Sequence, residues 1–374
     1  MTTVGDRIAG VDAARAAALV GMFATHTLPL TDPRGGASVT ALLADGRSSA
    51  LFAVLLGVGV ALSTPRPQDG RTHLAAAVGL LVRGALVGLL GLALAGLDPP
   101  VAVILAYYGL LLVVAIALLR LSAGVLAGAA VLTGVGAPLL SHLLRAGLPD
   151  GPGPQADLSA LAEPGELVVT LVLTGYYPVL PWTTYLLVGL AVGRLNLRRT
   201  DVAVGLLGGG GMLAGAATLA SGALVGLAGP VLPPDALGER QYGSTPTDTW
   251  WWLVVDIPHS GTPLDLAATG GAAVAVIGAM LLAARLSTVL VWVPAAVGAA
   301  PLTLYTLHVV ALAILPAQDD TAGTVLLVHL ACAVLIGVLL RLTGQRGPLE
   351  SAVSGPARSA RRRVGRSRPV RSGR

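Results

Sequence analysis

The chain has 374 residues and a net charge of +5, and 54% of its residues are hydrophobic whereas only 11% are charged. A mean hydropathy of +0.79 excludes an ordinary soluble domain. The single cysteine, Cys332, excludes a disulfide framework and a cysteine-based metal site. Apolar runs of about 20 residues predict transmembrane helices. The composition therefore predicts an all-α, multi-pass integral membrane protein.

The first apolar run, 8–30, carries Asp12 and Arg15 near its start and His26 near its end. Asp12 and Arg15 are three residues apart, so they can pair on one helix face. Charged groups inside a membrane helix mark functional sites by default. This run therefore predicts polar chemistry at both membrane faces. The internal charges also predict that it is not a cleaved signal peptide.

Ten spans are predicted along the chain, and Gly175, Pro178 and Pro181 predict a bend in the sixth. Arginines occupy alternate connections and acidic residues the others, so the positive-inside rule places both termini in the cytoplasm of a cell-membrane protein. The predicted spans are 8–30, 48–64, 74–97, 101–119, 122–140, 167–193, 202–228, 266–286, 290–315 and 323–342.

The C-terminal segment differs in composition from the rest of the chain. From Gln345 to Arg374 it has nine arginines and one acidic residue, Glu350. This pattern predicts two parts, a membrane domain over 1–343 and a disordered cytoplasmic tail over 344–374 that is attracted to anionic lipid. Nucleic acid is not an expected partner.

Five of the six histidines fall on the predicted outer side, and imidazole is suited to acid–base work near neutral pH. They indicate an outward-facing site, although longer polar outer loops would also collect histidines. The five are His26, His142, His259, His308 and His329.

Two polar segments accompany these histidines. Asp45 and Arg47 precede the second span, where Asp45 can orient an imidazole or, alternatively, cap the helix. The loop 258–263 holds His-Ser-Gly-Thr between two prolines, a stiff polar arrangement that favours binding or catalysis. Tyr305 and His308, one helical turn apart, can line one cavity.

On the cytoplasmic side, Asp12, Arg15 and Arg83 form either a self-neutralising structural group or a site for an anionic ligand such as a nucleotide phosphate. The sequence has no phosphate-binding P-loop and no HExxH motif. Neither ATP-driven transport nor a bound metal is therefore expected.

Taken in order, these motifs resemble the heparan-alpha-glucosaminide N-acetyltransferase catalytic-domain family, above all its bacterial members, over about residues 8–342. Two positions depart from the family pattern: Ala16 stands where glycine is usual, and 27–44 contain no histidine, so His26 is matched by proximity. The motifs are Arg7-x4-Asp12-x2-Arg15, Asp45-Gly46-Arg47-Ser48-Ser49, Tyr176-Tyr177-Pro178, Pro258-His259-Ser260-Gly261-Thr262 and Leu302-Thr303-Leu304-Tyr305-Thr306-Leu307-His308.

The resemblance implies acyl transfer from cytosolic acetyl-CoA to a sugar or glycan acceptor on the far side of the bilayer, without a metal or prosthetic group. For such a transfer we hypothesise catalytic roles for His26, Asp45 and His259, with His26 as the base that Asp45 orients. Acceptor binding would fall to Arg47, Ser260, Thr262, Tyr305 and His308. The CoA phosphates would meet Arg15 and Arg83, with Asp12 beside them.

Two other classes of protein fit the same residues. Asp, Arg and His inside the membrane could form the relay of a proton-coupled transporter. A non-enzymatic membrane scaffold would leave the outer histidines tolerant of substitution. The sequence leaves open the acceptor, the acyl chain length, the choice between direct transfer and an acetyl-histidine intermediate, and the formation of a homo-oligomer.

Overall fold

The structure is a computed structural model that describes residues 7–148, 151–233, 237, 241–318 and 320–365. It is 73% helical, with no strand among the described residues, which confirms the predicted all-α class. The α-helices are α1 (Ala9–Thr27), α2 (Val39–Ala44), α3 (Arg47–Ser63), α4 (Gly70–Ala95), α5 (Leu105–Leu118), α6 (Ala123–Arg145), α7 (Pro164–Val169), α8 (Val179–Gly193), α9 (Thr200–Ala228), α10 (Pro263–Leu286), α11 (Trp292–Val297), α12 (Pro301–Ile314), α13 (Ala322–Leu342) and α14 (Pro348–Gly365).

Among the described residues, six helical stretches are long and apolar enough to cross a membrane, and a bent pair makes a seventh. The bent pair, Pro164–Thr174 and Val179–Gly193, meets at 61° in the sixth predicted span. Helices α5 and α12 have 14 residues each. That is about 21 Å of helix, less than the ~30 Å of a bilayer core. Ten spans and two cytoplasmic termini stay predictions.

The ninth predicted span, 290–315, is broken into α11 and α12. Helix α12 starts at Pro301, and the residue before a proline is disfavoured in helical conformation, as Ala300 shows with φ −129° and ψ 48°. The first N–H groups of α12 therefore lie inside the bundle without helical partners. Glu350 accepts hydrogen bonds from the Leu302 N–H at 2.6 Å, the Thr303 N–H at 3.1 Å and the Thr303 hydroxyl at 2.6 Å.

The expectation of a disordered tail is wrong for residues 348–365, which form α14. This helix packs along α4 and buries Val353 and Ala357, which are four residues apart and share one helix face. The hydrogen bonds from α12 to Glu350 hold the first turn of α14 in place. Arginine-rich composition concealed this narrow apolar face. Residues 366–374 lie outside the described part of the chain.

Glycines set the close packing of the helices, as a small-residue membrane bundle requires. A Cβ atom at Gly189 of α8 would collide with the α3 backbone, and one at Gly109 of α5 would collide with the α4 backbone. Gly271 of α10 meets the α9 backbone in the same way. Helix α1 packs against α3, α10 and α11 and is largely buried, Asp12 included.

Candidate active site

A cavity of about 620 Å³ opens at the end of the bundle where α1 and α4 finish and α3, α5, α8 and α10 start. We call this the cavity end. Small-molecule sites commonly span about 300–1,000 Å³, so the volume suits a ligand of sugar size. The polar and aromatic residues that line it are Thr25, His26, Asp45, Ser48, Ser49, Asp98, Gln155, Asp157, Tyr176, Tyr177, Tyr242, His259 and Tyr305.

His26 lies one residue before the end of α1 and lines this cavity. Its Nδ1 atom is 3.0 Å from Nε2 of His308 on α12. The other nitrogen of His308, Nδ1, is 2.6 Å from Nδ1 of His329 on α13. These three imidazoles form a continuous line, which we call the histidine row. His308 is only 3% exposed and stacks on Phe23, with ring centroids 4.1 Å apart.

Asp45 and His259 meet across the cavity from two different loops, with Asp45 Oδ1 and His259 Nε2 3.5 Å apart. Asp45 therefore contacts His259, and its predicted role of orienting His26 stays a prediction. Two backbone features bring the loops together. His259 itself adopts φ +66°, and Gly46 adopts φ +68° with its Cα so close to Pro258 that a Cβ would lie 3.1 Å from the proline Cβ. A left-handed backbone suits glycine and is strained for histidine.

Ser260 and Thr262, both predicted to bind the acceptor, hold the loop that carries His259. The Thr262 hydroxyl donates to the Val255 carbonyl and accepts from the Asp265 N–H at 3.1 Å, as an N-cap of α10. The Ser260 hydroxyl donates to the Thr262 hydroxyl at 3.4 Å. Neither residue lines the cavity, and neither does Arg47 or His308. Their predicted contacts with the acceptor therefore stay predictions.

Aromatic side chains form one wall of the cavity. The Tyr305 hydroxyl accepts a hydrogen bond from the Ile104 N–H at 3.3 Å, and the Tyr305 side chain is otherwise packed in the core. The His259 ring lies between Tyr177 and Tyr242, with centroid distances of 5.7 and 6.1 Å. Rings of this kind commonly line sites for small organic ligands.

Two polar residues from the loop before α7 complete the rim. Gln155 is held by the Val103 N–H at 2.7 Å and the Val101 carbonyl at 2.9 Å. Hydrogen bonds from the side chain and the N–H of Ser159 keep the pKa of the Asp157 carboxyl below its usual value. Asp157 is therefore an anion at neutral pH, which suits an acceptor that carries amino or hydroxyl groups.

Arginines and acidic residues collect toward the opposite end of the bundle, which we call the arginine end. Asp12 forms the predicted ion pair with Arg15 and lies 4.0 Å from Arg7. Arg83 interacts electrostatically with Arg15 and with Glu350, and the structure gives it no hydrogen bond within the described residues. A guanidinium without a direct partner is a candidate anion receptor.

The structure thus gathers His26, Asp45, His259 and Tyr305 at one cavity and separates them from Asp12, Arg15 and Arg83. His142 is elsewhere, with its ring 4.5 Å from Trp250. Sequence reasoning missed the cavity residues Gln155 and Tyr242 and the docking of Glu350. Gln155 and Tyr242 lie in loops without a recognisable motif, and Glu350 looked like a lone acid among arginines. No group of three or more potential metal ligands occurs among the described residues.

The fold and the cavity define an all-helical protein with membrane-capable helices and a polar site at one end. The chain matches the family model described as heparan-alpha-glucosaminide N-acetyltransferase, catalytic, over residues 7–221, and it belongs to that family. The match confirms the resemblance drawn from the motifs. It includes His26, Asp45 and Arg83, whereas His259, Tyr305 and the rest of the histidine row lie beyond it. No curated protein and no solved structure matches the chain.

Proposed function

We propose that this protein is a membrane acyltransferase that moves an acetyl group from cytosolic acetyl-CoA to a sugar-like acceptor bound in the cavity. Family membership supports the general activity. The observation that carries the proposal further is His26, an imidazole on the wall of a sugar-sized cavity within the family-matched segment. The enzyme would lie in the cell membrane with the cavity facing outward and both termini in the cytoplasm.

The chemistry requires a base for the acceptor and donors for the developing oxyanion. His26 takes the proton from the acceptor hydroxyl or amine as that atom attacks the thioester carbonyl. Asp45 and His259 act as a pair that holds the acceptor, and the Tyr305 hydroxyl donates to the oxyanion. In a covalent variant, His26 attacks the thioester itself and then passes the acetyl group on. Both variants are consistent with the cavity.

The donor would enter from the arginine end, where Arg15 and Arg83 receive its phosphates. The route to the cavity is short because α12 begins inside the bundle. Thr303, bonded to Glu350, and Tyr305, on the cavity wall, are two residues apart. That spacing corresponds to about 3 Å along a helix axis. A thioester that passes the start of α12 therefore comes within reach of the cavity.

The proposal is tested with the full chain purified into lipid nanodiscs and supplied with radiolabelled acetyl-CoA and a panel of amino sugars. We expect acceptor-dependent release of CoA and a labelled, acetylated sugar identified by mass spectrometry. Proteoliposomes that carry the sugars across the membrane without consuming acetyl-CoA would contradict it in favour of a transporter. The absence of both acetyl transfer and sugar transport would also contradict the proposal, in favour of a scaffold.

A further inference from the structure

A single catalytic imidazole does not account for the three contacting histidines of the histidine row. Its members come from three helices, α1, α12 and α13, and from positions up to 303 residues apart in the chain. Only His26 lines the cavity. His308 is buried behind it, and His329 is half-buried behind His308. Burying polar rings costs free energy unless their hydrogen bonds are satisfied. Two buried or half-buried imidazoles behind a proposed base therefore indicate that His308 and His329 have a function in the site.

The hydrogen bonds restrict the protons of the row to two arrangements. A neutral imidazole carries one N–H and one bare nitrogen. His308 uses Nε2 toward His26 and Nδ1 toward His329. Its single proton can therefore serve only one of the two contacts, and the neighbour must supply the proton of the other. All N–H groups in the row thus point either toward His329 or toward His26.

Only one of these arrangements makes His26 a base. When the N–H groups point toward His329, His26 carries its proton on Nδ1 and its Nε2 atom is bare. When they point the other way, Nε2 of His26 is protonated and the ring cannot accept a proton there. The packing of Phe23 on His308 restricts rotation of the middle ring, so His308 keeps its contacts with both neighbours.

We propose that His308 and His329 are positioning residues for His26, which fix its tautomer and take up its positive charge during the transfer. This inference rests on the proposed acyl transfer in its direct variant. The acceptor O–H or N–H bond breaks, and its proton binds Nε2 of His26. The Nδ1 proton of His26 then moves to Nε2 of His308, and the Nδ1 proton of His308 moves to Nδ1 of His329.

The proton balance closes without any further reactant. After these shifts His26 and His308 are neutral and His329 is an imidazolium, so the charge has moved away from the reacting carbonyl. When the tetrahedral intermediate collapses, the thiolate of CoA leaves and needs a proton. The reverse shifts return the proton through Nε2 of His26 to that sulfur. The row ends in its starting state.

The first arm of the experiment does not depend on activity. Full-length protein labelled with ¹⁵N-histidine in nanodiscs gives the tautomer of each ring from its two-bond ¹H–¹⁵N correlations. We expect His26 to be protonated on Nδ1 in the wild type. His308→Phe removes both hydrogen bonds but keeps a ring on Phe23, and we expect His26 to lose its preference for Nδ1–H. An unchanged His26 tautomer would overturn the proposal.

The second arm measures acetyl transfer in the same preparations. Partners that orient a metal-bound imidazole are commonly worth about 10–100-fold. We expect a similar factor for an imidazole base, so kcat should fall by about 10–100-fold in His308→Phe with KM changed less than about twofold. His329→Gln, at the half-exposed end of the row, covers the case in which His308→Phe does not fold, and should lower kcat and shift the pH profile. His73→Gln, in α4 and outside the row, is the matched control.

The two arms separate the two proposals. A wild type that has the predicted tautomers but transfers no acetyl group contradicts the proposed function only. The direction of the N–H groups in the row is decided by the tautomer arm alone. Wild-type kcat and an unchanged pH profile in His329→Gln, in an active enzyme, would overturn the positioning role.

Discussion

Polar groups are paired in different ways at the cavity end and at the arginine end of the bundle. At the cavity end, imidazoles and a carboxylate pair with one another across helices and loops, as in His26 with His308 and His259 with Asp45. At the arginine end, Asp12 and Arg15 neutralise each other within one helix, while Arg83 has electrostatic neighbours and no hydrogen bond among the described residues. The first arrangement fits proton transfer and the second fits the binding of an anion.

The largest expected effect comes from His26→Ala. A general base commonly contributes about 10²–10⁴-fold, so kcat for acetyl transfer should fall by that factor while acetyl-CoA still binds. Radiolabelled product formation and isothermal calorimetry with acetyl-CoA measure the two quantities. The matched histidine control is His73→Gln. Full turnover in His26→Ala would mean that His26 is not the general base.

The opposite end should respond in KM and not in kcat. Arg83→Gln removes a guanidinium, and hydrogen bonds to charged groups are worth about 1.5–3 kcal/mol, so we expect KM for acetyl-CoA to rise about 10–100-fold. Arg199→Gln is the matched control, because Arg199 pairs with Asp201 on the exposed surface. Equal KM values in Arg83→Gln and the wild type would mean that the donor binds elsewhere.

Four of the residues that line the cavity could be predicted because the local sequence marks them. His26 and Tyr305 stand out inside predicted helices, and Asp45 and His259 lie in short polar segments beside prolines or glycines. Their partners could not be predicted in the same way. His26 and His308 are 282 residues apart in the chain, and no local sequence pattern predicts which histidines contact each other.

The fold shows the same division between local and long-range information. The bend after Thr174 follows from Gly175 and Pro178, which act on their own neighbourhood. The start of α12 inside the bundle and the docking of α14 depend on Glu350, which is 47 residues from Thr303. A lone acid among nine arginines gives no signal of that contact, so the tail was expected to be disordered.

The approach of the two cavity loops can be tested with a matched pair of glycines. Gly46→Ala places a Cβ against Pro258 at φ +68°, whereas Gly35→Ala places one in open space at φ +83°. Both pay the cost of a left-handed backbone, about 1–2 kcal/mol. Only Gly46→Ala also overpacks, which commonly costs about 1–3 kcal/mol more. We therefore expect a lower Tm and a lower kcat in Gly46→Ala than in Gly35→Ala, measured by thermal unfolding and acetyl transfer.

Equal Tm and kcat values in the two alanine variants would mean that the contact between Gly46 and Pro258 does not set the separation of Asp45 and His259. The cavity end would then owe its geometry to the hydrogen bond from Gly243 N–H to the His259 carbonyl, at 2.8 Å, on the other side of the loop.

The smallest expected effect belongs to Glu350→Gln, at the boundary between the two ends. The substitution keeps the size of the side chain but replaces a carboxylate that accepts at both oxygens with a neutral amide that has a single acceptor oxygen. Hydrogen bonds lose about 1 kcal/mol when the charge is removed. That loss corresponds to about a fivefold change in an opening equilibrium. Hydrogen exchange of α14 should therefore speed up about fivefold.

Glu166→Gln is the matched control, because Glu166 is exposed in the first turn of α7. If α14 exchanges at the same rate in Glu350→Gln as in the wild type, its docking rests on Val353 and Ala357 against α4, and Glu350 serves only the start of α12. If exchange accelerates and KM for acetyl-CoA falls as well, the docked carboxylate competes with the donor for Arg83. The tail helix would then govern access to the arginine end, whereas no element of this kind closes the cavity end among the described residues.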